Sequence, residues 1–117
     1  MMLLDTGIVI ESIRENRLEP GAISVITLLE LLRGVEIDKR RNMKVLIEEV
    51  YHVEPLDNAV ILEYSSLYQA LKEAGQPIPD ADLIVAATAK TRNYELLSRD
   101  RHFDRLRDHG LKIRTVI

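Results

Sequence analysis

Apolar residues fall in short runs separated by turn residues, and their spacing alternates between strand-like and helix-like patterns. Residues 2–5 predict a short buried strand, and residues 6–16, with Ile8, Ile10 and Ile13 among polar positions, predict a helix. Pro20-Gly21 breaks the chain, and Ala22-Ile23 predicts a brief strand. Ser24 is then placed to cap a helix over residues 25–33, ended by Gly34. Within that helix Val25, Leu28, Leu29 and Leu32 form the expected core stripe. Over residues 36–51, Met43, Leu46, Ile47 and Val50 recur at helical spacing. Residues 53–56 predict another strand. Asp57 is expected to cap a long helix to residue 74, with Val60, Tyr64, Leu67, Leu71 and Ala74 buried and Gly75 stopping it. After Pro77 and Pro79, Asp80 is expected to cap an alanine-rich helix over residues 81–92, with Asn93 left-handed at its end. Residues 94–98 predict a strand, 100–107 a short helix and 112–117 a last strand. Strands alternating with helices imply βαβ units and a parallel sheet. The expected class is α/β in three layers, with four or five short strands.

Composition narrows the class further. With 117 residues and 46% of them hydrophobic, the chain suits a single domain over residues 1–117. Sixteen basic residues against nineteen acidic ones exclude a protein that binds through bulk positive charge. The absence of cysteine excludes disulfide frameworks and Cys-ligated zinc or iron–sulfur sites, and fits a cytoplasmic protein. Apolar runs fall far short of the roughly 20 residues of a membrane span. The N-terminal run is broken by Asp5, too early for a signal-peptide core.

In an open parallel sheet, ligands sit at the carboxyl ends of the strands. Asp5 ends the first predicted strand and Asp100 closely follows the Leu96-Leu97-Ser98 strand, so both belong at one sheet edge. For Asp5 a helix-capping role is an equally good explanation. Glu30 sits among leucines, where a carboxylate is costly unless it is paired or metal-bound; pairing with Arg33 is the simple alternative. Asp82, in the first turn of its helix, is favoured there by the helix dipole whatever its function. Acids converging on one edge repel one another, and a hard divalent cation such as Mg2+ or Mn2+ relieves that repulsion. That donor set suits phosphodiester hydrolysis. His52, His102 and His109 lie near element ends and read as surface or capping residues, with contact to nucleic acid a lesser alternative for His102, beside Phe103 and close to Asp100.

Four segments resemble the PIN-domain ribonuclease family, most closely its VapC toxin branch. Leu3-Leu4-Asp5-Thr6 resembles the opening strand and first metal-binding aspartate. Ser24-Val25-Ile26-Thr27-Leu28-Leu29-Glu30-Leu31-Leu32-Arg33-Gly34 resembles the S-x-x-T-x-x-E-L-x-x-G helix, with its glutamate at Glu30. Asp82-Leu83-Ile84-Val85-Ala86-Ala87-Thr88-Ala89 is similar to the D-x-x-I-A-A-x-A segment, and Ser98-Arg99-Asp100-Arg101-His102-Phe103 to the T-x-D-x-x-F segment, with serine in place of threonine. The segments come in the family's order and span nearly the whole chain. The resemblance implies a three-layer α/β/α sandwich and an Mg2+- or Mn2+-dependent endoribonuclease, the toxin of a type II toxin–antitoxin pair. Asp5, Glu30, Asp82 and Asp100 would be its catalytic, metal-holding residues, with Thr6 and Ser98 supporting them. Asp80 and Asp104 are extra acids, and Asp104 competes with Asp100 for the fourth role. The resemblance also implies an RNA substrate, a homodimer and a small VapB-type antitoxin. Helices over residues 36–51 and 57–74 would offer apolar surface for these protein contacts.

Setting aside the four acids leaves fifteen acidic residues against sixteen basic ones. Lys39, Arg40, Arg41 and Lys44, with Arg99, Arg101, Arg105 and Arg107, then become candidates for phosphate contacts. With one Phe, no Trp and four Tyr, base stacking cannot be extensive. A non-catalytic RNA- or partner-binding module on the same scaffold is the alternative. An aspartyl-phosphate domain fits less well, because Asp5-Thr6-Gly7 is not a D-x-D pair. P-loop and dinucleotide-binding motifs are absent.

Overall fold

A computed structural model describes residues 1–116. The chain forms β1 (Met2–Leu4), α1 (Thr6–Arg14), β2 (Gly21–Ser24), α2 (Val25–Arg33), α3 (Arg40–Val50), β3 (Tyr51–Glu54), α4 (Asn58–Glu73), α5 (Asp80–Thr91), β4 (Glu95–Ser98) and β5 (Ile113–Thr115). Short 3-10 segments occupy Ile37–Lys39 and Arg101–His109. The five strands form one sheet in the order β3-β2-β1-β4-β5, and every pairing is parallel. β1 lies at the centre because it is short, apolar and buried on both faces, with Leu3 opposite both Ala22 and Leu96.

Alternation sends neighbouring strand residues to opposite layers. Leu3, Ala22 and Leu96 pack with α4 and α5, where Ala86, Ala87 and Ala89 allow a helix to lie close on the sheet. Leu4, Ile23 and Tyr51 face the other way, against Val9, Leu28 and Ile47 of α1, α2 and α3. The result is the α/β/α sandwich expected from the sequence, with five parallel strands. No helix among the described residues is long and apolar enough to cross a membrane.

Several local expectations shift. The third strand is Tyr51–Glu54 rather than residues 53–56, because the alternation begins at Tyr51 and Pro55 has no N–H to continue a ladder. α3 begins at Arg40, after a 3-10 turn. Pro79, not Asp80, occupies the cap position of α5; Asp80 instead accepts a hydrogen bond from the Tyr64 hydroxyl at 2.9 Å. Leu29 (59% exposed), Leu46 (55%) and Ala74 leave their predicted stripes for the surface. The last strand ends at Thr115, and residue 117 of the predicted strand lies outside the described residues.

Asn93 is left-handed as expected, and Gly110 takes φ +88° to close the 3-10 segment before β5. A Cβ at Gly110 would also come within 3.1 Å of Lys90 Cε, whose ammonium is held by Glu63 at 3.1 Å. Gly110→Ala is expected to cost about 1–2 kcal/mol, the penalty for a left-handed L-residue. A lowered urea midpoint with unchanged slope would register it; an unchanged midpoint would contradict the strain.

Candidate metal centre

The strand order reverses direction between β1 and β4, and the crevice at their carboxyl ends is where an open α/β sheet holds ligands. Asp5 leaves β1 there and Asp100 follows β4. Asp5 is the N-cap of α1, as the simple reading held, with Oδ1 accepting from the Thr6 amide at 2.9 Å. Its second oxygen is held separately, by the hydroxyl of wholly buried Ser98, which donates to Oδ2 at 2.8 Å. Ser98 Oγ in turn accepts the Asp100 amide at 3.0 Å. One buried hydroxyl therefore ties the acid after β1 to the acid after β4. Serine supplies this bond as well as threonine would.

Glu30 enters the same crevice from α2. The Thr6 hydroxyl donates to Glu30 Oε1 at 2.8 Å and lies 3.0 Å from the hydroxyl of buried Thr27. Thr6 has a single hydroxyl hydrogen, which goes to Glu30, so Thr27 must be the donor in the second contact. Arg33 also approaches Glu30, but only to 3.8 Å and from an exposed position. Such a pair is worth little, and it leaves the glutamate anchored by Thr6. Asp82 arrives on the first turn of α5 and Asp100 caps the Arg101–His109 segment, accepting the His102 amide at 3.2 Å. His102 sits between the two aspartates, with Nε2 3.1 Å from Asp82 Oδ2 and Nδ1 2.9 Å from Asp100 Oδ1.

All four predicted acids thus share one electrostatic environment. Burial raises the pKa of Asp5 above the usual carboxylate range; bonds from Ser98 and Thr6 oppose the rise, and the charges of Asp100 and Glu30 add to it. Asp82 is raised too, chiefly by burial, with His102 opposing and Asp5, Asp100 and Glu30 reinforcing. These are the conditions a divalent cation relieves, and the donor set of carboxylate oxygens fits a hard ion. An Asp82 oxygen, an Asp100 oxygen and a His102 nitrogen all lie within 4.8 Å of one another, close enough to share one ion.

The extra acids are employed elsewhere. Asp104 accepts from Arg107 at 2.9 Å and Asp80 from the Tyr64 hydroxyl at 2.9 Å. His102 was read as a surface or capping residue, whereas it bridges two of the site acids. The available signal was its position two residues after Asp100, at the start of a tight turn. Beside Glu30 a cavity of about 470 Å³ opens between α2 and α5, lined by Ile26, Leu29, Leu32, Arg33, Arg40 and Ala81.

The predicted basic group is largely engaged within the chain. Lys39 pairs with Glu36, Lys44 with Glu48, Arg99 with Glu11, and Arg107 with Asp104. Arg40 donates to the Val35 carbonyl at 2.8 Å, and Arg105 to that of Pro77 at 2.7 Å. The exposed pairs are weak enough to be exchanged for a phosphate.

Known proteins share this sequence pattern and fold. The chain is 37% identical over 116 residues to Ribonuclease VapC1 of Methanocaldococcus jannaschii, covering 96% of this chain and 85% of that protein. It superposes with a TM-score of 0.80 on a VapBC-1 structure from nontypeable Haemophilus influenzae, at 26% identity, covering 97% of this chain and 96% of that one. A VapBC2 structure from Rickettsia felis, at 20% identity and a TM-score of 0.82, covers 99% and 98% and shares the fold. Residues 2–108 match the PIN domain model, and with the sheet order, the acid-lined switch point and the VapC relative in agreement, the chain belongs to the PIN-domain family, in its VapC branch.

Proposed function

We propose that this protein is an Mg2+- or Mn2+-dependent endoribonuclease and the toxin of a type II toxin–antitoxin pair. One observation carries the reading: acids from four separate elements line one crevice closely enough for the charges of Asp5, Glu30 and Asp100 to act on Asp82, and the Ser98 and Thr6 hydroxyls hold two of them. The likeness to Ribonuclease VapC1 supports the same reaction.

Asp5, Glu30, Asp82 and Asp100 would hold the ion. Ser98 fixes the plane of the Asp5 carboxylate, and Thr6 aims Glu30 into the crevice. A divalent ion bound there would neutralise the charge that builds on the phosphodiester oxygens and ease deprotonation of the attacking water. Arg33 and Arg40, lining the cavity beside Glu30, are suited to hold neighbouring phosphates, and Arg101, next in sequence to Asp100, is exposed and could add to them. Few aromatic residues are present, so RNA would be recognised by shape and backbone rather than by stacking.

Apolar surface supports the partner assignments. Leu29, Ile37 (80% exposed) and Leu46 lie uncovered on α2, α3 and the turn between them, which suits a VapB-type antitoxin segment reaching the acids. Ile61 and Leu62 on α4 are also uncovered and suit a second copy of the chain.

Incubating structured RNA with the purified protein tests the function. Internal cleavage with Mg2+ or Mn2+, suppressed by chelator and by the antitoxin, is expected. RNA bound without metal-dependent products would point instead to a binding module. Thr6→Val keeps the shape but leaves Glu30 without its donor. It is expected to weaken metal affinity about 10–100-fold, as loss of a ligand-orienting bond does. Unchanged affinity by calorimetry would remove Thr6 from the site.

A further inference from the structure

His102 is fixed more firmly than a surface histidine. Its ring packs on Phe103, which is wholly buried, with centroids 4.7 Å apart and planes inclined by 56°. The two ring nitrogens are differently placed. Nδ1 is 2.9 Å from Asp100 Oδ1, within reach for its N–H to donate a hydrogen bond to that carboxylate. Nε2 is buried and has no hydrogen-bond partner, although Asp82 Oδ2 lies 3.1 Å away. A buried nitrogen left in that condition is costly unless something else occupies its lone pair.

The spacing suits a metal ion. Around an octahedral ion with donors at about 2.0–2.2 Å, adjacent donors are about 3 Å apart and opposite ones about 4.3 Å apart. The 3.1 Å between Nε2 and Asp82 Oδ2 is such an edge. Histidine ligands commonly offer one nitrogen to the metal while the other donates to a carboxylate, which fixes tautomer and ring orientation. Asp100 Oδ1 stands in the place of that carboxylate, which gives Asp100 the task of orienting His102 in place of a direct hold on the same ion.

Resting on the reading of the acidic crevice as a divalent-ion site, we propose that His102 Nε2 is a direct ligand beside Asp82. The centre then takes mixed nitrogen and oxygen donors and prefers a first-row transition ion to Mg2+. Imidazole adds affinity for such ions and little for Mg2+, which favours oxygen.

Mn2+ is the probe, because its unpaired electrons report coordinated nitrogen. Electron spin-echo spectra of the Mn2+-loaded wild-type protein are expected to show imidazole 14N modulation, converting to the 15N pattern when histidine is 15N-labelled. This measurement needs no substitution and does not depend on a variant's folding. In His102→Gln the modulation should vanish, Mn2+ affinity should fall about tenfold or more, and Mg2+ affinity should change less than about twofold. Mn2+ bound to the wild-type acids without nitrogen modulation would overturn the ligand assignment and leave the acidic site standing. Equal losses for both ions in the variant would do the same. Binding of neither ion to the wild-type protein would overturn the acidic site as well.

Discussion

Asp5→Asn is expected to lower RNA cleavage at least about 100-fold, a loss of about 2.7 kcal/mol of transition-state stabilisation. The same change should raise the melting temperature of the metal-free protein near neutral pH. Both effects come from one carboxylate. Burial, with the charges of Asp100 and Glu30, lifts its pKa above the usual range. Protonation is therefore more favourable in the folded chain than in the unfolded one. The stability that goes with it is complete below the ordinary carboxylate pKa and is lost as pH rises through the raised value. At pH 7 the ionised group destabilises the metal-free fold. Asparagine keeps the N-cap of α1 and removes the charge. The stability gain should shrink as pH falls through the raised value and be gone below about pH 4, where the aspartate is neutral in both states. Added Mg2+ should stabilise the wild-type protein and not the variant. Full cleavage by Asp5→Asn, or equal stabilisation of both proteins by Mg2+, would remove Asp5 from the metal centre.

Glu54→Ala should destabilise the fold by about 3 kcal/mol, the lower end of the range for breaking a buried ion pair. Glu54 is 5% exposed at the end of β3. It accepts from the Tyr94 hydroxyl at 2.7 Å and Arg92 Nε at 2.9 Å, and faces His52 Nε2 at 3.0 Å. Arg92 continues to Asp57, the N-cap of α4, at 2.6 Å. One carboxylate thus links an edge strand to the start of α4 and the turn between α5 and β4. Arg92 would keep Asp57 and partial access to water, which places the cost at the low end. For a chain of this length the loss amounts to about 12 °C in melting temperature. Burial on its own pushes the Glu54 pKa up, but the bonds from Tyr94 and Arg92 and the nearby His52 outweigh it and hold the carboxyl below its ordinary value. Its stabilisation is present above the ordinary glutamate pKa and is lost as pH falls through the depressed one. Glu54→Gln should therefore flatten the acid side of the stability profile. A loss under about 1 kcal/mol for Glu54→Ala would show that the network is not a structural brace.

Sheet polarity made half of the candidate site legible in the sequence. Once the strands were read as parallel, Asp5 and Asp100 had to share an edge, and they do. Glu30 and Asp82 lie on helices, where periodicity sets a face but not a destination. They were legible through the resemblance, and their convergence depends on how α2 and α5 pack on the sheet. The Glu54 network joins residues about forty positions apart, and no local pattern carries such a contact. His102 escaped because its approach to Asp100 follows from the tight winding of the Arg101–His109 segment, which an α-helical reading does not anticipate. Leu29 and Leu46 matched a core stripe because spacing records where apolar residues recur, not which side another element covers. The shift of the third strand has a similar origin: Tyr51 continues the apolar stripe of α3 while beginning the alternation of β3.

The proposed centre joins acids from separate elements around one divalent ion. Crystals soaked in Mn2+ and measured near the manganese absorption edge test it most directly. An anomalous peak is expected in the crevice after β1 and β4, at about 2.0–2.2 Å from carboxylate oxygens of Asp5 and Asp82. A fully soaked crystal with no peak there, or with manganese bound only at other surface acids, would contradict it.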